Sequence, residues 1–301
     1  MSELLAHPAF RDVSGIVPMS GFSGAFVAVI NSTNEKTRRV RKSAVDAKGS
    51  IRLFDQAKRQ MALLKVLHNV AHVPAVLDEG TIEGCYWYDM EFVSGIDAVE
   101  YLSIGTRPKV DSFFCQLASI LDTLKITSSA DEPSFELNSK LNRKLDEIDT
   151  LTTGKFHAWT DLLRDTMSET EIYLSPTFSH GDLTLENILV DRSERLWLID
   201  AIPSPFNHYW IDLAKLFQDL EGRWFLHRKR SLSIALTLVL SEKLVQHVVE
   251  RDAHYLTYHP VLLGMNFARI LPYCTGPEDI KFVTNRIELA VASSEKYRSR
   301  K

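Results

Sequence analysis

Cysteine is scarce in this sequence, and its distribution excludes two kinds of small protein. Only Cys85, Cys115 and Cys274 occur in 301 residues, and no two of them form a C-x-x-C pair. Three widely spaced cysteines, an odd number, indicate neither a disulfide framework nor a zinc site. We therefore expect a chain that depends on a hydrophobic core and works in a reducing compartment, the cytoplasm.

Long apolar runs and an excess of positive charge are also missing. No run of 18 or more apolar residues occurs, and no basic segment followed by an apolar one opens the sequence. We expect neither a membrane span nor a secretion signal. The formal net charge is −4, which gives no electrostatic reason to expect a nucleic-acid partner. Hydrophobic residues make up 45% of the chain, a share typical of a folded protein.

The pattern of apolar residues changes near Gly95 and predicts two lobes. Before this point the chain reads as short strands interrupted by one amphipathic helix, in which Leu53, Ala57, Met61, Leu64 and Leu67 follow helical spacing. After it, long amphipathic helices dominate, among them helices predicted over residues 157–174 and 229–251. We predict an α+β protein with a small β-rich lobe, residues 1–93, and a large helical lobe, residues 94–301.

The most informative stretch is SHGDLTLENILVDRSERLWLIDA, residues 179–201. Asp182 and Asn187 fit the pattern D-x-x-x-x-N, in which the aspartate can face an incoming hydroxyl while the asparagine reaches a metal. Asp200 follows 13 residues later, at the end of an apolar run. A carboxylate there can hold Mg²⁺ against nucleotide phosphates.

Two features upstream suit the same phosphate chemistry. In SGFSGAF, Gly21 and Gly24 lie in a turn between two predicted strands, where backbone N–H groups can approach phosphates closely. Lys42, in the next strand, could reach those phosphates as a positive charge. Each feature alone is weak evidence, but their order along the chain is specific.

Four segments resemble the aminoglycoside phosphotransferase and choline kinase-like family, which has the protein-kinase-like fold. They are MEFVSG (90–95), HGDLTLEN (180–187), LIDA (198–201) and WIDLAKL (210–216). HGD, where protein kinases usually have HRD, points to the branch that phosphorylates small molecules. The residues from 198 to 220 resemble bacterial sugar or capsular-polysaccharide kinases.

The resemblance implies a role for each matching residue. Asp182 would accept or orient the substrate hydroxyl, Asn187 and Asp200 would bind Mg²⁺, and Lys42 would bind phosphates. The other implied positions are a phosphate-covering loop at Gly21, Ser23 and Gly24, an adenine-binding hinge at Met90, Glu91 and Val93, a buried brace of the catalytic loop at Asp212, and an architectural histidine at His180.

One position departs from the family pattern. The helix after the lysine strand normally carries a glutamate that pairs with the lysine, and here the aligned residue is Gln60. An amide can accept a hydrogen bond from Lys42 but forms no ion pair. We therefore expect Lys42 to be less firmly held without nucleotide, and Gln60→Glu to be tolerated.

The leading hypothesis is an ATP- and Mg²⁺-dependent kinase acting on a hydroxyl of a small molecule. Because of Gln60, a nucleotide-binding pseudokinase that acts through partners is the alternative. A kinase acting on protein is disfavoured, since only 11 residues separate Asp200 from Asp212 and leave little room for an activation segment. Sugar, amino alcohol, aminoglycoside and glycan acceptors all stay open, as do ATP against GTP and the oligomeric state.

Overall fold

The computed structural model describes residues 4, 6–11, 13–19, 24–31, 37–128, 133–167, 171–204 and 206–294. The chain divides into two compact units. The first unit comprises Met1–Ile96 and Asn187–Pro203, and the second comprises Asp97–Glu186 and Ser204–Lys301. The predicted single boundary after residue 93 lies close to the first crossing. It does not capture the return of Asn187–Pro203 to the first unit.

An antiparallel five-stranded sheet forms the centre of the first unit. Its strand order is β1-β2-β3-β5-β4, and every pair of neighbours is antiparallel. The strands are β1 (Ser14–Pro18), β2 (Ala25–Asn31), β3 (Arg38–Ala44), β4 (Val76–Ile82) and β5 (Cys85–Glu91). Glu83 and Gly84, both with positive φ, turn the chain between β4 and β5.

Helix α1 (Ala47–Leu67) covers one face of this sheet. Asp46 caps its N-terminus by accepting a hydrogen bond from the Gly49 N–H at 2.6 Å, the usual role of an aspartate at this position. Leu53 and Ala57 are buried in one cluster with residues of β3 and β5, including Tyr88. The apolar periodicity of the sequence identified this face only in part, since Met61 and Leu64 are half-buried and Leu63 is buried in their place.

Strand β3 also carries a buried arginine, Arg41. Arg41 forms a two-pronged ion pair with Asp89, with N–O distances of 2.6 and 2.8 Å, and donates a third hydrogen bond to the Ala9 carbonyl. Its guanidinium lies 4.0 Å from the centre of the Trp87 ring. Because side chains alternate across a strand, Arg41 and its neighbour Lys42 point to opposite faces of the sheet.

A small sheet orders the segment that carries Asp200. Strands β6 (Gly95–Asp97), β9 (Ile188–Asp191) and β10 (Leu196–Leu198) form it in the order β10-β9-β6. Asp191 closes the turn between β9 and β10 by accepting hydrogen bonds from the Ser193 N–H, Arg195 and the Trp197 indole. These contacts hold the pKa of Asp191 down at about 2, although burial alone would raise it.

The second unit is mainly helical. Its helices are α2 (Ala98–Ile104), α3 (Arg107–Ile126), α4 (Leu137–Leu151), α5 (His157–Thr166), α6 (Trp210–Leu220), α7 (Trp224–His227), α8 (Ile234–Asp252), α9 (Tyr255–Ala268) and α10 (Pro277–Ala292). A two-stranded antiparallel sheet pairs β7 (Phe135–Glu136) with β8 (Tyr173–Leu174). Helix α9 is buried along almost its whole length and packs against α10 and α6. It is therefore the central helix of this unit.

Several helices are shorter than the sequence predicts. The helix predicted to run from residue 157 to 174 ends at Thr166, and the one predicted from 229 begins at Ile234. Arg223 and Lys229 have positive φ, a conformation that right-handed helices do not contain. No helix in the described part of the chain has the length and apolar character needed to cross a bilayer.

Candidate active site

Lys42 lies in the middle of β3, opposite Tyr88 of β5, and is 2% exposed. Its ammonium group forms an ion pair with Oδ1 of Asp200. Burial disfavours the charged lysine, but the Asp200 carboxylate outweighs this effect and raises the pKa of Lys42. Lys42 is therefore charged and held in place in the free protein.

Asp200 follows β10 and has a positive φ of 60°. Non-glycine residues adopt this conformation rarely, at a cost of about 1–3 kcal/mol, and often at functional positions. Its side chain is 41% exposed, unlike that of Lys42. The carboxylate therefore has a buried partner on one side and an accessible surface on the other.

Asn187 lies beside Asp200 in the first unit, since the Asn187 carbonyl accepts a hydrogen bond from the Ile199 N–H at 3.0 Å. An amide oxygen and a carboxylate are suitable ligands for Mg²⁺, which usually takes one or two protein oxygens and completes its shell with phosphates and water. The described residues contain no cluster of three or more histidine, cysteine, aspartate or glutamate side chains that could hold a metal. The amide of Asn187 and the carboxylate of Asp200 fit a sparse oxygen site of the kind that Mg²⁺ uses.

Gln60 does not accept a hydrogen bond from Lys42, so the predicted pairing of these two residues is wrong. Its Nε2 donates to the Pro74 carbonyl at 2.6 Å and to the Met90 sulfur at 3.4 Å, while its Oε1 has no partner among the described residues. The carboxylate partner of Lys42 comes from Asp200 instead. The expectation that Lys42 is poorly held without nucleotide is wrong for the same reason.

The other predicted nucleotide-binding residues also lie in the first unit where they are described. Gly21 and Ser23 lie outside the described residues. Gly24, at the start of β2, has a positive φ of 66° and open space where a Cβ would point.

The predicted hinge begins inside the sheet. Met90 is buried at the end of β5, and Glu91 is bonded twice to Ala75, through its N–H and through its carboxylate. Val93 follows, beyond the end of the strand. The start of the hinge is thus fixed by backbone contacts, and its binding role stays a prediction.

The predicted catalytic base, Asp182, belongs to the second unit. Its Oδ1 lies 3.0 Å from the Lys215 ammonium group, and the two side chains are 32% and 12% exposed. Burial alone would raise the pKa of Asp182, but Lys215, together with His180 and Arg269, outweighs it and lowers the pKa. Asp182 is therefore ionised at neutral pH and can accept a hydrogen bond from a hydroxyl.

One face of α6 holds the loop around Asp182. Asp212, Lys215 and Asp219 are three and four residues apart, which places them on the same side of the helix. Asp212, fully buried, accepts hydrogen bonds from the His180 N–H at 2.6 Å and the Gly181 N–H at 2.8 Å.

Asp219, at the far end of the same face, accepts one from the Leu185 N–H at 2.6 Å. Burial raises the pKa of Asp219 to about 7. Three side chains of one helix therefore contact the start, the middle and the end of this loop.

His180 is also fully buried, and its Nδ1 accepts a hydrogen bond from the Asp182 N–H at 3.3 Å. This hydrogen bond connects the histidine ring to the backbone of the loop. It suits the predicted architectural role, which stays a prediction.

Comparison with known families identifies the chain. The family model described as phosphotransferase enzyme family, APH, matches residues 21–235. The chain belongs to this family. The match spans Lys42, the loop around Asp182, Asp200 and all of α6. No curated protein matches the sequence.

Solved structures with this fold include several phosphotransferases. The GDP and kanamycin complex of APH(2")-IIia has a TM-score of 0.61 and 15% identity, covering 99% of this chain and 97% of that one. APH(3'')-Id from Streptomyces rimosus gives 0.56 and 17%, covering 87% and 97%. The Plasmodium vivax ethanolamine kinase Pv091845 gives 0.52 and 12%, covering 99% and 88%. The predicted α+β kinase-like fold and the predicted family are confirmed.

Two residues of this phosphotransferase-family site were missed from the sequence. Lys215 lies inside WIDLAKL, and Asp219 follows four residues later. The helical spacing of Asp212, Lys215 and Asp219 could have revealed them. This spacing places three charged side chains on one face of α6, whereas the helices of this unit mainly bury apolar residues. Only the folded structure shows that this face meets the loop.

Proposed function

We propose that this protein is an ATP- and Mg²⁺-dependent kinase that transfers the γ-phosphoryl group to a hydroxyl of a small molecule. The ion pair between Lys42 and Asp200 carries the proposal. A buried lysine facing a half-exposed carboxylate at the end of a strand combines the two charges that nucleotide phosphates and their metal require. Family membership supports phosphotransfer, and the acceptor class is part of the proposal.

The residues of the first unit would bind the nucleotide. Lys42 would contact phosphate oxygens as a fixed positive charge, and Asn187 with Asp200 would hold Mg²⁺. Bound Mg²⁺ would neutralise the phosphate charge that develops during transfer. Asp200 would thus exchange part of its interaction with Lys42 for the metal, since its exposed side leaves room for a second ligand.

The residues of the second unit would prepare the acceptor. Asp182 would accept the hydrogen bond of the acceptor hydroxyl and orient its oxygen for attack, taking the proton as transfer proceeds. Lys215 would keep Asp182 ionised and fixed in direction. Because α6 also contacts the loop backbone on both sides of Asp182, the carboxylate would keep its position during turnover.

Calorimetry of ATP binding with and without Mg²⁺ tests the nucleotide half of the proposal. Asp200→Ala should abolish the Mg²⁺-dependent part of the affinity, whereas Asp78→Ala, an exposed aspartate of the same unit, should leave it unchanged. ATP binding that ignores both Mg²⁺ and the Asp200 substitution would favour the pseudokinase.

A screen of small hydroxyl compounds with γ-labelled ATP tests the transfer itself. With any acceptor that is phosphorylated, Asp182→Asn should reduce turnover by about 10²-fold or more, the usual effect of losing a general base, and should leave ATP affinity nearly unchanged. Normal turnover in this variant would remove Asp182 from the mechanism.

A further inference from the structure

An unusual group of polar side chains lies at the end of the apolar helix α9, in the second unit. Asn266 is fully buried, and neither its Nδ2 nor its Oδ1 has a hydrogen-bond partner among the described residues. Arg269, one turn further on, has a buried Nη1 that also lacks a partner there. Buried polar groups are nearly always paired, so an unpaired amide and an unpaired guanidinium nitrogen at this spacing need an explanation.

The negative charges that interact with Arg269 are shared with other cations. Asp182 interacts with it most strongly, followed by Tyr273 and Glu147. Asp182 also pairs with Lys215 at 3.0 Å, and Glu147 pairs with Lys144 at 2.7 Å. Arg269 therefore shares both carboxylates with lysines, and its buried Nη1 has no hydrogen-bond partner among the described residues.

An outside anion would satisfy both side chains. A guanidinium binds carboxylates and phosphates with paired N–H groups, and an asparagine amide can add a further donor. Burial strengthens such contacts, because the competing water is reduced. A cationic group in the same place would be repelled by the guanidinium of Arg269.

We propose that Asn266 and Arg269 bind an anionic group, a carboxylate or a phosphate, carried by the acceptor. This inference rests on the proposed function, because it assigns the acceptor side of the same site. It narrows the acceptor to small molecules that carry a negative charge as well as a hydroxyl.

Binding of a matched set of sugars, measured by calorimetry without nucleotide, tests the inference. Glucose, glucosamine, glucuronate and glucose 6-phosphate share a scaffold and differ in charge. Glucuronate or glucose 6-phosphate should bind at least about tenfold more tightly than glucose, the factor equivalent to about 1.4 kcal/mol, and glucosamine should bind no better than glucose. Equal binding of all four, or preference for glucose or glucosamine, would overturn the inference.

Two substitutions locate the site. Arg269→Gln should remove the preference for the anionic sugars, and Asn266→Asp should do the same by giving Arg269 a carboxylate within the helix. Arg286→Gln is the matched control, since Arg286 also has a buried unpaired nitrogen but has Arg223 as its charged neighbour. Loss of the preference in the control but not in the Arg269 variant would place the anion elsewhere and refute the assignment.

ATP affinity separates this inference from the proposed function. All three variants should bind ATP and Mg²⁺ as the unmodified protein does. An Arg269→Gln variant that loses ATP affinity but keeps the sugar preference would assign Arg269 to the nucleotide phosphates and overturn the acceptor role. Absence of Mg²⁺-dependent ATP binding in the unmodified protein would instead refute the proposed function.

Discussion

Replacing Lys215 by methionine should uncouple Asp182 from its electrostatic support. The change keeps most of the apolar stem of the side chain and removes the ammonium group that lies 3.0 Å from the Asp182 carboxylate. The carboxylate would remain partly buried without its closest positive charge. We expect the pKa of Asp182 to rise, because the burial that already opposes ionisation would lose its main counterweight.

The expected size follows from the distance and the exposure. At 3.0 Å and an effective dielectric constant of about 20, Coulomb's law gives about 5.5 kcal/mol of attraction. Removing both charges from water cancels much of this, and the 32% exposure of Asp182 allows screening. A net coupling of about 1–3 kcal/mol remains, in the range measured for hydrogen bonds to charged groups and close ion pairs.

A double-mutant cycle measures this coupling without knowledge of the acceptor. The free energy of unfolding in urea is compared for the unmodified protein, Asp182→Asn, Lys215→Met and the double variant at pH 7. The double variant should be about 1–3 kcal/mol more stable than the sum of the single effects predicts. Single effects that add to within about 0.5 kcal/mol would refute the coupling.

The pH dependence supplies an internal control. The pKa of Asp182 is lowered in the folded protein, so its contribution to stability is complete above the ordinary aspartate value of about 3.9. That contribution falls as the pH drops below this value and through the lowered pKa. A coupling that stays constant from pH 7 to well below pH 4 would mean that the measured energy is not the ion pair.

Three further predictions concern neighbouring positions. Gln60→Glu should destabilise the first unit by about 1–3 kcal/mol in urea unfolding. The substitution replaces the Nε2 donor, 2.6 Å from the Pro74 carbonyl, with a carboxylate oxygen, so that two acceptors face each other. Unchanged stability would refute this explanation. Asp212→Asn should cost about 1–3 kcal/mol, since an amide offers one oxygen where two loop N–H groups need acceptors, and thermal unfolding checks it. The pKa of Asp219 is raised to about 7 in the folded protein, so between about pH 4 and 7 this carboxyl ionises in the unfolded chain before it does so in the folded one. The free energy of unfolding should therefore fall as the pH rises through this range. Asp219→Asn should flatten this dependence, and an unchanged pH profile would contradict the reasoning.

The Gln60 prediction reverses what the sequence suggested. Alignment of the helix with the family pattern placed Gln60 where the family has a glutamate. It therefore predicted that Gln60→Glu would be tolerated. The structure gives this side chain a donor role toward Pro74 and Met90. Whether an amide is a donor or an acceptor depends on which atoms face it, and residue identity does not reveal this.

Local chemistry was readable from the sequence alone. The spacing of Asp182 and Asn187, the aspartate at the end of an apolar run and a lysine inside a strand all appear within short segments. The roles predicted for these residues depend on strand and loop patterns that span only a few residues. For the same reason the α+β class, with a small antiparallel sheet followed by a mainly helical part, could be predicted.

Long-range partners were decided by the tertiary structure. Lys42 and Asp200 are 158 residues apart in the chain, and their meeting depends on how two separate segments of the first unit pack. The contact of Lys215 with Asp182 likewise depends on how helices pack in the second unit. So does the burial of the Asn266 amide and of Nη1 of Arg269 without hydrogen-bond partners among the described residues. Charge pairs require positions accurate to an ångström or so, and only the packed core fixes them at that scale.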